Sequence, residues 1–281
     1  MPVEAAAREV QRRAPSDVGD HVAGAAIEVR DLGVTYVGLD GTHVHALAPT
    51  SFEVADREFV SLVGPSGCGK TTLLNAIGDL LRPSSGSVTI AGRPARELRT
   101  AQQIGVVFQD SVLLPWKSVH DNIRFLSQLA RRPLAPEAIE DLGRLVGLDG
   151  FLTKYPHELS GGMRQRASIA RALALDPQLL LMDEPFGALD EITRQKMNLE
   201  LLRVWGERRK TVVFVTHSLS EAAFLSDRVI VMGKRPGRVV ADVRIDLPRP
   251  RTADTRFAPA MRDYVVMLNQ HLESGEGGEA T

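Results

Sequence analysis

Two groups of residues in this sequence have the types and spacing to handle a phosphate. The first is Gly64-Pro-Ser-Gly-Cys-Gly-Lys-Thr71, which fits G-x-x-x-x-G-K-[ST] at every position. Gly64, Gly67 and Gly69, with Pro65, Ser66 and Cys68 between them, let the backbone curl so that successive N–H groups converge on anionic oxygens. Lys70 supplies a full charge to the β- and γ-phosphates of a nucleotide, and the Thr71 hydroxyl is placed to ligate Mg²⁺, with Thr72 beside it. Cys68 fills a free position of the loop as a tolerated small residue, and its alkylation is expected to block nucleotide binding. The second group is Leu179-Leu-Leu-Met-Asp-Glu-Pro185, an apolar run ending in two acids. Buried carboxylates are costly unless paired or metal-bound. Asp183 at the end of the run therefore suits Mg²⁺ coordination, and Glu184 suits accepting a proton from an attacking water.

These residues need rigid elements to hold them. Phe59–Val63 reads as a strand leading into the glycine loop, and Thr72–Leu81 as the helix leaving it, whose N-terminus adds partial positive charge at the phosphates. The runs 59–63, 179–182 and 212–215 are continuously apolar and bounded by polar turns, the pattern of parallel strands buried on both faces. Ile27–Arg30, Val34–Tyr36, Ser51–Val54 and Ser87–Ile90 instead alternate, which predicts an antiparallel layer with one solvated face. Val119–Ala130, Ala135–Val146 and Met163–Leu175 have helical periodicity, so a helical insertion is expected inside an α/β core. Residues 1–25 and 274–281 lack a sustained period and are read as mobile tails.

Composition narrows the class. Of 281 residues, 34 are Lys or Arg and 35 Asp or Glu, a net charge of −1 that argues against a nucleic-acid partner. Cys68 is the one cysteine, so neither an internal disulfide nor a cysteine metal cluster can form. No apolar run reaches the roughly 18 residues that span a bilayer, and Arg8, Arg12 and Arg13 interrupt any secretory core. Any membrane role is expected to come through a partner.

Leu159-Ser-Gly-Gly-Met-Arg-Gln-Arg166 resembles the LSGGQ signature of ABC transporter ATPases, with Met163 in place of the glutamine. The resemblance covers residues 27 to 235 and implies a P-loop NTPase fold: an α/β ABC-type nucleotide-binding domain with an antiparallel β subdomain and a helical subdomain over about 111–176. The domain is expected to span 26–245, followed by an extension with a closing helix over 246–273. Ser160, Gly161 and Gly162 form a second anion-binding helix N-terminus, and in this family the signature reaches the ATP held by the other protomer's P-loop. The resemblance thus implies a homodimer with two sandwiched nucleotides. It also implies that Tyr36 stacks on adenine, against the alternative of a core strand tyrosine. Gln109 looks like the Q-loop glutamine, touching Mg²⁺ or water, and Asp190 like the D-loop acid. His217 looks like the switch histidine on the γ-phosphate, although a lone histidine at a strand end is more often structural. The other six histidines, His21, His43, His45, His120, His157 and His271, match no motif and are read as surface or packing residues.

One cassette without membrane segments resembles the separate ATPase subunit of an importer. ATP and Mg²⁺ are the implied cofactors, a membrane permease the implied partner, and an extracytoplasmic solute-binding protein the indirect one. The subunit would sit peripherally on the cytoplasmic face of the cell membrane. Asp110–Asn122, containing Leu-Leu-Pro-Trp116, and Lys234–Val240 with Asp246-Leu-Pro-Arg-Pro250 resemble the nitrate, sulfonate and taurine group. ATPases for pyrimidine precursors carry similar segments. Trp116 is read either as a permease contact or as a subdomain aromatic. A non-hydrolysing nucleotide-binding module is opposed by the presence of Glu184 and His217, and a DNA-associated ATPase by the neutral charge.

Overall fold

A computed structural model describes residues 25–276 apart from residue 235. The tail expected over 1–25 lies outside the described residues save for residue 25, as does 277–281 of the second. A six-stranded sheet carries the chemistry-bearing loops. Its order is β10 (Arg238–Arg244), β9 (Arg228–Gly233), β3 (Phe59–Val63), β8 (Thr211–Val215), β7 (Leu179–Asp183), β6 (Ile104–Val107). The β10–β9 pair is antiparallel and the other pairs are parallel. A four-stranded antiparallel sheet, ordered β2 (His43–Ala55), β1 (Ala25–Val37), β4 (Ser85–Ile90), β5 (Arg93–Pro94), lies over one face.

The two-residue period of the strands explains why the central runs are apolar throughout. Phe59, Val63, Leu180, Met182, Val212 and Phe214 point to one face, into a cluster shared with the helices. Val60, Leu62, Leu179, Leu181, Val213 and Val215 point to the other, into a cluster shared with the antiparallel sheet. Both faces are covered, so no position can be polar without a partner. Ser61 is the one exception within β3, and its hydroxyl bonds the Ser226 hydroxyl at 2.5 Å.

The antiparallel strands are longer than their alternation predicts. In β1 the pairing register with β2 shifts between Val29 and Leu32 and again before Val34, and Asp31 takes φ 45. That irregularity changes which residues face inward, so one 13-residue strand reads as two short ones.

Helix α1 (Lys70–Ile77) ends four residues before the expected Leu81, because the chain turns at Gly78 and Asp79 enters the left-handed region at φ 53. Helix α2 (Ala95–Thr100) follows β5. The helical insertion contains α3 (Val119–Leu129), α4 (Pro136–Leu145) and α5 (Gly161–Leu173). Helices α6 (Glu191–Arg208) and α7 (Leu219–Leu225) lead into and out of β8. Side-chain oxygens of Ser118, Ser160, Asp190 and Ser218 cap α3, α5, α6 and α7, each accepting from the N–H three residues on. Helix α8 runs Pro259–Glu276, past the expected end of the extension at residue 273 and into the segment read as a tail. Met261 and Leu268 on it are buried, with Tyr264 and Val265 packed beside them. Among the described residues no helix is long and apolar enough to cross a membrane.

Candidate active site

The site forms beyond the carboxyl ends of β3, β7 and β8, the place where open parallel sheets bind ligands. After β3 the chain enters the loop 64–69, whose tight path depends on missing side chains. Gly64 has φ +159, and a Cβ there would lie 2.6 Å from the Met232 carbonyl. Gly69 has φ +90, and its Cβ would meet the Ala46 carbonyl at 2.9 Å. Gly69 is also the N-cap of α1 and offers that helix no side-chain acceptor, so its first-turn amides stay available to an anion. Lys70 is only 6% exposed. Its Nζ donates to the Gly64 and Pro65 carbonyls at 2.8 and 3.0 Å, which holds the ammonium across the loop.

Cys68 is fully buried beneath this loop. Burial pushes its thiol above the ordinary value, against the opposing pull of the Lys70 charge. The thiol is therefore shielded from an alkylating reagent in the folded chain, and the alkylation expected to block nucleotide binding would first require the loop to open.

The acids of β7 sit opposite. The Thr71 hydroxyl donates to Asp183 Oδ1 at 3.2 Å. Burial raises the Asp183 carboxyl; the Thr71 bond and Lys70 pull it down, and neighbouring Glu184 pushes it up. Glu184 has left the strand and adopts φ 41, an unusual conformation for a residue with a Cβ. Its N–H donates to the Val215 carbonyl at 3.0 Å, and its Oε2 lies 3.1 Å from His217 Nδ1. His217 is exposed at the end of β8. Thr71 and Asp183 thus present two hard oxygen donors side by side, a pair suited to Mg²⁺ completed by water and phosphate oxygens. Among the described residues no group of three or more His, Cys, Asp or Glu is arranged to hold a metal without such help.

A cleft of about 630 Å³ opens over these groups. Ser66, Gly67, Gly69, Lys70, Thr71, Thr72 and Glu184 line it, with Tyr36 and the strand Val44–Ala46 on the far side. Tyr36 is 45% exposed, which excludes the core reading, and its hydroxyl is 3.4 Å from Thr72 Oγ1. His45 also lines the cleft and bonds the Thr35 hydroxyl at 3.0 Å. It matches no motif, and only the pairing of β1 with β2 places it there.

Other expected site residues, like Asp183 and His217, are not among those lining the cleft. Gln109 is exposed just after β6. The chain around it is tied to α5: buried Gln165 donates to the Phe108 carbonyl at 3.2 Å, and Arg171 to the Val112 and Ser111 carbonyls at 2.8 and 3.3 Å. Ser160, Gly161 and Gly162 open α5 and adjoin the 189–193 turn instead. A Cβ on Gly161 would stand 3.6 Å from a Leu189 methyl, and one on Gly162 3.4 Å from the Thr193 methyl. Asp190 caps that turn, which holds its carboxyl below the ordinary value. The segment 110–122 gains its shape from fully buried Asn122. Its amide accepts from Leu114 N–H at 2.8 Å and donates to the Leu114, Lys117 and Ser118 carbonyls at 3.0–3.1 Å. That knot leaves Trp116 71% exposed.

One contributor has no motif in the loop itself. Gly237 donates to the Ala46 carbonyl at 3.1 Å and accepts from Ala48 at 2.8 Å. A Cβ on it would fall 2.1 Å from the Cys68 carbonyl. The Pro-Gly-Arg segment thus forms the floor of the glycine loop.

A glycine loop, a paired Asp–Glu and a histidine on adjacent parallel strands define a nucleotide-hydrolysing cassette, and the comparisons place it. The family described as ABC transporter matches residues 47–187, and the chain belongs to that family. It is 48% identical over 249 residues to the taurine import ATP-binding protein TauB of Rhizobium johnstonii, covering 87% of this chain and 94% of that one. It is 42% identical over 247 residues to the nitrate import ATP-binding protein NrtD of Synechococcus elongatus, covering 84% and 89%. Among solved structures, the dimeric post-hydrolysis state of the cassette MJ0796 bound to ADP and Pi matches with a TM-score of 0.69 and 30% identity, over 79% of this chain and all of that one. The chain is accordingly an ABC-type ATPase.

Proposed function

We propose that the chain is the ATP-hydrolysing subunit of a multi-subunit importer for a small anionic solute such as nitrate, an aliphatic sulfonate or taurine. The observation that carries the hydrolytic part is the meeting of Lys70, Thr71, Asp183, Glu184 and His217 at the ends of adjacent strands. The import part rests on the relatives named for taurine and nitrate import and on the segments 110–122 and 234–250. In this reading Tyr36 stacks on adenine, and the loop amides with Lys70 hold the β- and γ-phosphates. Thr71, Asp183 and Gln109 would hold Mg²⁺, whose chemistry is to neutralise charge on the transferred phosphoryl group. Glu184 accepts the proton of the attacking water, and His217 contacts the γ-phosphate.

Two copies close around two nucleotides, the signature Ser160–Gly162 of each completing the site of the other. A membrane permease docks beside Gln109 and Trp116, so the subunit works at the cytoplasmic face. An extracytoplasmic solute-binding protein acts through that permease and chooses the cargo. Co-purification with a co-expressed permease, followed by calorimetry of the binding protein that serves that permease with nitrate, alkanesulfonates and taurine, tests this. Binding of one of these anions supports the reading. Binding of a pyrimidine precursor alone would move the subunit to the neighbouring importer group.

A further inference from the structure

The segment that follows β10 grips the helix that follows His217. Helix α7 is capped by Ser218, the residue after the histidine, and is seven residues long, about 10 Å at 1.5 Å per residue. Its first turn is fixed to the end of β8: Ser218 N–H donates to the Thr216 hydroxyl at 3.0 Å, and that hydroxyl donates to the buried carboxylate of Glu221. Its last turn is fixed from outside. Arg251 is 5% exposed, and its Nη1 lies 3.2, 2.9 and 2.8 Å from the Ala223, Phe224 and Ser226 carbonyls. Its Nη2 reaches back to the Ile245 and Leu247 carbonyls at 3.5 and 3.2 Å.

A helix of two turns leaves its final carbonyls without partners, and a cation there complements both those groups and the helix dipole. Burial, reinforced by neighbouring Arg249, lowers Arg251 to about 10, which still leaves it charged at neutral pH. Burying that charge is costly without compensation, and the compensation visible here is the row of carbonyls rather than a carboxylate. A second brace lies alongside. The Arg256 guanidinium sits 3.8 Å over the Phe224 ring and donates to the Gln195 carbonyl of α6 at 3.3 Å. Helix α7 is therefore held between the strand that presents His217 and the segment beyond β10.

We propose that Arg251 is a positioning residue for His217. By fixing the far end of α7 it keeps the imidazole against Glu184, which lines the phosphate cleft. The idea rests on the proposed role of His217 in hydrolysis. A rigid helix of this length turns a displacement at one end into one at the other, and misplacement by about 1 Å is enough to cost on the order of 100-fold in rate. Nucleotide binding, carried by the loop 64–72, does not pass through α7.

The test is steady-state ATPase of the full chain bearing Arg251→Met, with Leu98→Ala as the control. Leu98 is fully buried in the other core cluster, under the antiparallel sheet, so its truncation lowers Tm without touching α7. Arg251→Met is expected to lower kcat about tenfold or more with KM for ATP within about threefold, the pattern of an interaction used only in the transition state. Leu98→Ala is expected to keep kcat near wild type. Wild-type kcat in Arg251→Met, or a loss no greater than in Leu98→Ala, would overturn the proposal. If Arg251→Met does not fold, Arg251→Lys carries the test. One ammonium cannot span both sets of carbonyls, so kcat should fall about threefold with KM unchanged, and wild-type kcat would again overturn it. Failure of the parent reading has a separate signature, namely a His217→Ala variant that hydrolyses ATP at the wild-type rate.

Discussion

Glu184 and His217 are held 3.1 Å apart by two different strand ends. Glu184 reaches that position only by adopting φ 41. Such a sparsely populated conformation persists only where the surrounding structure fixes it, as it often does at functional sites. Glu184→Gln keeps the shape and removes the basicity. Turnover is expected to fall about 100- to 10,000-fold, the usual range for a general base, while ATP binding persists and an ATP-bound dimer accumulates on size-exclusion chromatography. Wild-type turnover would refute the assignment of the base. Cys68 carries a different expectation. Its thiol is buried and held above the ordinary value, and the thiolate is the reactive form. Iodoacetamide should therefore modify the native chain far more slowly than the unfolded one, with the native rate rising as pH rises, and ATPase activity should survive the incubation. Rapid stoichiometric labelling of the native chain would show that the loop opens. The identities of these residues were legible in the sequence because glycine, lysine and acid spacings encode chemistry directly. The burial of Cys68 was not, since it depends on what packs beneath the loop.

At the scale of elements, the central strands were legible because a run covered on both faces has no polar positions. Strand β1 was legible only in halves, because its register shifts reverse the alternation midway. What supports the site from a distance left the weakest trace. Gly237 stands far from the glycine loop in sequence, and its Pro-Gly-Arg setting was legible only as a resemblance to the nitrate, sulfonate and taurine group, yet it sits against the Cys68 carbonyl. Replacing it with alanine puts a methyl 2.1 Å from that oxygen, so either the loop or the β10 hairpin must move. Gly237→Ala is expected to weaken ATP binding about tenfold or more, equivalent to about 1.4 kcal/mol, in a fluorescent-nucleotide titration. Unchanged affinity with a lowered Tm would show that the hairpin yields instead of the loop. The segment Leu247-Pro-Arg-Pro-Arg251 has a similar logic. Arg249 stacks 4.2 Å over Trp205 and pairs with Asp227 at 2.8 Å, while Arg251 grips α7. The sequence shows these arginines but not the carbonyls they satisfy.

At the scale of the whole molecule, the described chain keeps apart the two helix ends read from the sequence as anion sites. The N-terminus of α1 faces the cleft with Lys70 and Glu184, whereas Ser160 and Gly161 at the start of α5 are exposed beside Leu189 and Asp190 and do not line it. One γ-phosphate has no use for two such ends on the same chain, and the proposed sandwich resolves this by crossing them between copies. The crossing has a consequence that a self-contained site does not share. Suppose one copy carries Lys70→Ala and the other Ser160→Arg. In a crossed dimer both defects fall in the same site, and the second site, built from the intact loop of one copy and the intact signature of the other, still works. If both substitutions are placed on one copy and paired with wild type, each site receives one defect and neither works. Differentially tagged copies purified as mixed dimers are therefore expected to retain about half of wild-type ATPase in the first arrangement if the two sites act independently, and close to none in the second. Chains that hydrolyse ATP alone would give the reverse order, because the wild-type copy would then carry the activity in the second arrangement and no intact copy would exist in the first.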